Sequence, residues 1–241
     1  MARFLLLHAF PFTGSMWDAV SDRLRAQGHD VIAPDLRGFG SAPLGGRAPG
    51  ITVLVDDMVA LLGEEPAVVV GCSMGGYVAL GIAARRPDLV AALGLVDTKA
   101  TADPEPARIH RMRIAELAET GGDWSAGMVD GLLGETTRRT RPDVVSTVAE
   151  ALSAAPPATV AWAQRAMSTR PDARDSLAVL TAPIAVVMGD EDTLSPQSEQ
   201  DLILQAAPHA TWAPVAKAGH LTPLEAPDAV ASALVGLVVT A

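Results

Sequence analysis

The sequence predicts an α/β fold: a mostly parallel sheet of about six strands flanked by helices. Three observations predict it. Short β-branched runs alternate with helical patterns along most of the 241 residues, the signature of strand–helix–strand units on a parallel sheet. Runs such as Ala67-Val68-Val69-Val70 are apolar at every position, which suits strands covered on both faces. One of these runs ends in a tight Gly-x-Ser-x-Gly turn that opens a helix, Gly71-Cys72-Ser73-Met74-Gly75.

Strands are read at residues 4–8, 31–34, 67–71, 92–96, 184–188 and 211–214, and helices at 16–26, 52–62, 74–86, 196–206 and 223–238. Gly28 stands where the helix before the second strand should stop. Ser195 followed by Pro196 reads as an N-cap with proline at the first helical position. Thr222-Pro223-Leu224-Glu225 reads as a capping box. Residues 98–180 break the alternation, with Ala-rich helical patterns, no convincing strand, and prolines at 104, 106, 142, 156, 157 and 171. The organisation expected is therefore a core of residues 1–98 and 181–241 with a helical insertion at 99–180. Glycine and proline cluster at 38–50, read as an irregular loop on the rim of the sheet.

Composition excludes several classes. Against 18 basic residues stand 28 acidic ones, a net charge of −10, which argues against a nucleic-acid partner. A single cysteine, Cys72, excludes a disulfide scaffold and a Cys-based zinc or iron–sulfur site, and reads as a small buried filler. The apolar stretches at 4–7 and 229–239 are too short for a secretory core or for a bilayer, which takes ~20 residues. No membrane partner and a cytoplasmic location are the expectation. No phosphate loop and no H-E-x-x-H spacing occurs, and Gly38-Phe39-Gly40 lacks the third glycine of a dinucleotide fingerprint. No metal and no cofactor is expected.

The strand–turn–helix at Ser73 points to nucleophilic chemistry. A serine on so sharp a turn projects its hydroxyl above the sheet, and Gly71 and Gly75 keep side chains out of the crowded junction. The Met74 amide lies at the helix N-terminus, where unpaired donors favour an oxyanion. Such a serine needs a base, and the base needs a carboxylate to orient it. The partners follow an elbow of this kind in the order acid, then histidine. Of the histidines at 8, 29, 110, 209 and 220, only His209 and His220 lie late enough. His220 follows the last strand, at the carboxyl edge where Ser73 emerges, whereas His209 precedes that strand. Asp192 is the acid, the last of the carboxylates in Gly189-Asp190-Glu191-Asp192 after the fifth strand; Asp97, ending the fourth, is the alternative acid or caps its own turn. The second oxyanion donor falls to the Phe10 amide in the loop after the first strand. His8 reads as a structural residue beneath that loop.

These landmarks together resemble the α/β-hydrolase superfamily. They are Leu7-His8-Ala9-Phe10-Pro11, Asp35-Leu36-Arg37-Gly38-Phe39-Gly40, the Ser73 turn, Gly189 to Asp192, and Gly219-His220. Within it, the chain is similar to small capped hydrolases of the 3-oxoadipate enol-lactonase and pimeloyl-carrier methyl ester esterase type. The resemblance implies an α/β-hydrolase fold whose residues 99–180 form a helical cap. It also implies that Arg37 bonds nearby backbone rather than substrate. Two departures stand out: Ala9 replaces a usual glycine, and the family's N-terminal hairpin is missing. The strand at 31–34 is then an exposed edge, to be covered by homodimer contacts or by the 38–50 loop.

The function expected is hydrolysis of a small-molecule ester or lactone through an acyl-enzyme on Ser73. The alternative keeps the fold and triad for acyl transfer, for thioester or carbon–carbon bond hydrolysis, or for a lyase or ligand receptor. Phe12, Trp124, Met128 and Trp162, with Phe10 and Met167, are candidate pocket walls, although aromatic and methionine side chains in helices are more often core. Arg108, Arg111 and Arg113 form a basic cluster on an acidic chain. It reads as a solvated helix face, or as a dock for an acyl-carrier protein or substrate carboxylate.

Overall fold

The computed structural model describes residues 1–239; the last two positions of the predicted core segment 181–241 lie outside them. Six strands, β1 (Arg3–Leu7), β2 (Asp30–Ile32), β3 (Ala67–Cys72), β4 (Val90–Val96), β5 (Ile184–Gly189) and β6 (Thr211–Val215), form one sheet in the order β2-β1-β3-β4-β5-β6. Every pairing is parallel. The pleat explains the continuous apolarity of the strands. Leu5, Leu7 and Val69 face one core with α2 (Ile51–Leu62), α3 (Met74–Arg85) and α10 (Gln197–Ala206). Phe4, Leu6, Val68 and Val70 face another with α1 (Asp18–Ala26) and α12 (Pro227–Val239).

Helix boundaries differ from expectation where local chemistry intervenes. The helix read at 16–26 opens as a 3-10 turn, Gly14–Trp17, before α1. That read at 223–238 is two, α11 (Thr222–Glu225) and α12, because Pro227 has no amide to continue α11 and pushes Ala226 out of helical geometry. Neither predicted cap acts as one. Leu221 and Pro196 occupy the cap positions of α11 and α10, and no side chain caps either helix.

Between β4 and β5 the chain forms only helices: α4 (Glu105–Thr120), α5 (Met128–Leu132), α6 (Glu135–Thr140), α7 (Pro142–Ala154), α8 (Pro157–Ser168) and α9 (Arg174–Val179). Several of its prolines open helices, with Pro142 and Pro157 in first-turn positions where a missing N–H costs nothing.

The edge strand β2 is three residues long, and its outward Val31 carbonyl accepts a bond from Arg25 Nη2 at 3.2 Å. The 38–50 loop, one of the two covers expected for this edge, is tied to α8. Thr159 Oγ1 donates to the Gly38 carbonyl and Trp162 Nε1 to that of Arg47, both at 2.9 Å. Arg37 holds the loop from inside, donating to the Leu44 carbonyl at 2.9 Å and to both carboxylate oxygens of Asp57. Among the described residues no single helix is long and apolar enough to cross a membrane.

Phe39, 2% exposed, packs edge-on against the rings of His8 and Phe10 beneath the loop after β1. Phe39→Ala should lower the unfolding free energy by about 3–5 kcal/mol, read from a urea titration followed by circular dichroism.

Candidate active site

The turn after β3 sets the position of Ser73. Its backbone is at φ +51°, ψ −111°, a region that costs a side-chain-bearing residue about 1–3 kcal/mol and persists only where the surroundings enforce it. They do so by close approach. A Cβ on Gly71 would collide with the Gly75 carbonyl, and one on Gly75 with the Leu7 carbonyl of β1. The spacing of the motif is thus the spacing of two backbone crossings. From the segment after β4, Thr98 Oγ1 donates to the Ser73 carbonyl at 2.8 Å.

Loops from β5 and β6 bring two further side chains to this turn. His220 Nε2 lies 2.8 Å from Ser73 Oγ, and His220 Nδ1 lies 2.9 Å from Asp192 Oδ2. A carboxylate can only accept, so Nδ1 carries the proton and Nε2 is left to accept from the hydroxyl. Asp192 is 5% exposed and fully engaged. Oδ1 accepts the amides of Leu194 at 2.8 Å and Ser195 at 3.0 Å, and Oδ2 accepts the Ser195 hydroxyl beside the imidazole. Burial pushes the Asp192 carboxyl up, but the charge of His220 and the bonds from the ring and Ser195 outweigh it and hold the pKa at about 2. Burial likewise lowers the His220 pKa, and the facing Asp192 charge more than reverses that, leaving it above 6.5.

Two buried carboxylates hold the loops. Glu225 accepts the amides of Gly219 (2.9 Å) and Leu221 (3.1 Å), on either side of His220, and that of Gly134 (2.9 Å). In place of the predicted capping box, Glu225 reaches back to the Leu221 amide, while the Thr222 amide and hydroxyl donate to Asp97. Asp97 accepts from the Gly189 amide at 3.1 Å and from Thr222 N and Oγ1 at 2.9 and 2.7 Å. The alternative acid thus bonds the ends of β5 and the His220 loop, and its oxygens do not meet the imidazole. Burial, with the neighbouring Asp192 charge, raises its pKa to about 7. His8 sits under the β1 loop: Nδ1 donates to the Ala9 carbonyl, Nε2 accepts the Leu36 amide, and burial drives its pKa down to about 4.

The amides of Phe10 and Met74 have no protein acceptor among the described residues. Ala9 is not at positive φ, so alanine bears no penalty in glycine's usual place. A cavity of about 600 Å³ opens over Ser73 and His220, walled by Phe10, Tyr77, Trp124 and Met128. Met167 also lines it; Phe12 and Trp162 do not. Phe12, 4% exposed, is core beside Trp17, and Trp162, 7% exposed, spends its indole N–H on the 38–50 loop. Nor is the arginine cluster one face. Arg108 and Arg113 are exposed, but Arg111 is half-buried and held by Asp103 and by Gln164 at 3.2 Å.

Three side chains at the site carried no readable sign of their place. Ser195 reads as a helix cap, because serine before proline is the same pattern whether its hydroxyl meets an amide or a carboxylate. Glu225 lies in a legible box, but its grip on Gly134 depends on the inserted helices. Lys99 lines the cavity with no surrounding motif; its two-residue distance from Asp97 at the strand end was the available clue.

The alpha/beta hydrolase family model matches residues 4–233, and the chain belongs to that family. A pimeloyl-[acyl-carrier protein] methyl ester esterase from Aromatoleum aromaticum is 28% identical over 239 residues, covering 93% of each chain. Lipase LipV of Mycobacterium tuberculosis is 40% identical over 111 residues, 44% of this chain and 41% of that protein. Among solved structures, a thermophilic esterase from Thermogutta terrifontis, described as malate bound, superposes with a TM-score of 0.94 at 33% identity, covering 100% of this chain and 90% of that one. The enol-lactonase from Burkholderia xenovorans LB400 shares the fold at TM-score 0.86 and 21% identity, over 99% of this chain and 92% of that one. The chain is thus an α/β-fold hydrolase, with esterases and lactonases as its neighbours.

Asp192→Asn removes the charge that opposes burial at His220. The imidazole pKa should then fall from above 6.5 to below it, measured by NMR titration of 15N-histidine-labelled protein.

Proposed function

We propose that this chain is a serine hydrolase cleaving a small-molecule ester or lactone through an acyl-enzyme on Ser73, with His220 as base and Asp192 as orienting acid. The observation that carries the reading is the unbroken relay from Ser73 Oγ through His220 to Asp192, at 2.8 and 2.9 Å, opening onto a cavity of about 600 Å³. As Ser73 Oγ attacks the carbonyl carbon, His220 Nε2 takes its proton. The ring becomes an imidazolium facing a carboxylate already ionised, so the charge develops against a fixed partner. The carbonyl oxygen takes up negative charge and accepts from the free amides of Phe10 and Met74. The imidazolium then protonates the departing alkoxide, and a water deprotonated by His220 cleaves the acyl ester.

In this reading residues 99–180 act as a cap, since α4, α5 and the 121–127 stretch supply much of the cavity wall. An acyl-carrier-linked ester is a second substrate form, supported by the relatives named as pimeloyl-[acyl-carrier protein] methyl ester esterases and by exposed Arg113, which lines the cavity, with exposed Arg108 on the same helix. Replacing both arginines by alanine should slow turnover of a carrier-linked ester and leave that of the matching free ester; an equal effect on both removes the docking role.

Ser73→Ala should lower kcat on p-nitrophenyl acetate by up to ~10⁶-fold and abolish labelling by a fluorophosphonate probe. Retained turnover overturns the assignment of the nucleophile. Because His220 must be neutral to accept the proton and its pKa is raised, kcat/KM in the wild type should climb with pH through a midpoint above 6.5. In Asp192→Asn, kcat should drop by about 10⁴.

A further inference from the structure

Lys99 stands in the catalytic cavity without a counter-ion. It follows Thr98, whose hydroxyl holds the Ser73 carbonyl, so its backbone leaves the sheet at the same rim as the nucleophile. It is half-buried, and it takes part in no hydrogen bond or ion pair with any described residue. It also lines a second cavity of about 190 Å³, which shares Tyr77 with the first.

The acidic groups around the cavity do not neutralise it. Asp103 is shared between Arg111 and the buried Arg170, whose Nη1 is 2.7 Å away and whose guanidinium lies 4.0 Å above the Tyr77 ring. Asp123 is exposed and bonds the local turn at Ser125. An ammonium partly withdrawn from water and left unpaired costs free energy that an anion entering the cavity would recover. Phe10, Ile114, Leu117, Trp124, Met128 and Leu132 give the cavity apolar wall, with His110, Arg113 and Gln164 as its other polar lining, and apolar wall strengthens such a pair.

We propose that Lys99 recognises a carboxylate on the substrate, so that the preferred ester carries a second, ionised carboxyl group remote from the scissile carbonyl. This rests on the ester-hydrolase reading above and adds the substrate class. It concerns Lys99 and is tested separately from docking on Arg108 and Arg113, the second of which also lines the cavity.

The test compares kcat/KM for monoethyl adipate and for ethyl hexanoate, its uncharged counterpart, in wild type, Lys99→Met and Lys99→Glu at pH 8. The ratio of the two cancels any common effect of Lys99 on His220. The wild type should favour the anionic ester about 10- to 100-fold, the range of a charge-assisted bond. Lys99→Met should erase that preference, mainly through KM, and Lys99→Glu should invert it. A wild-type ratio near or below one, or a ratio untouched by Lys99→Met, overturns the proposal. If neither ester is hydrolysed and the fluorophosphonate leaves Ser73 unlabelled, the hydrolase reading fails instead. The subsite is then judged by adipate binding alone. Adipate should raise the Tm of Ser73→Ala protein by several degrees and leave that of Ser73→Ala/Lys99→Met unmoved; no shift in the first protein sinks it.

Discussion

A carboxylate buried at the end of a sheet keeps its charge only if its oxygens are met by donors, and Asp192 satisfies that condition completely. Two backbone amides, a hydroxyl and an imidazole converge on it. Because burial by itself favours the neutral acid, these donors hold the negative charge in place, and the charge in turn fixes the tautomer and raises the basicity of His220. In the proposed mechanism, this is what makes Ser73 a nucleophile.

Most of the neighbouring structure serves to keep this pair in register. The strained Ser73 backbone is trapped between β1, β3 and α3. Asp97 links the end of β5 to the residues following His220, while Glu225 grips the amides flanking it and reaches across to Gly134. Three loops that start on different strands are thus joined through carboxylates accepting backbone N–H groups, a rigid form of cross-linking that leaves few buried donors unmet. Positive φ at Ser73 and Asp97 shows that the chain accepts local strain at this rim.

Much of the architecture was legible because the physics behind it is periodic. Strands covered on both faces read as unbroken apolar runs, and their ends were visible to within a residue or two. The Gly71–Gly75 spacing was legible because it records backbone collisions, which only glycine avoids. What stayed hidden depends on facing. Phe12 and Trp162 have the composition of pocket walls, but a side chain's type does not say which neighbour it turns toward, and both turn into the core. Pro227 marks a helix break that an apolar pattern at 223–238 conceals. Ser195 has meaning through the way the turn folds its hydroxyl back on Asp192 three residues before it, and Lys99 through the lack of a partner among the described residues.

The inserted helices are pinned to the sheet domain at several points. Thr159 and Trp162 bond the 38–50 loop, Thr136 bonds Glu191, Gly134 bonds Glu225, and the Leu132 carbonyl takes the His220 amide. The stretch at 121–128 differs: its hydrogen bonds stay within itself and the end of α4, and it is otherwise held by apolar packing of Trp124 and Met128, including the edge-on meeting of Trp124 with Phe10 at 5.9 Å. Prising two rings apart sacrifices no directional bond. Widening the cavity at that aromatic seam would leave the hydrogen bonds joining alcohol, ring and acid below it intact.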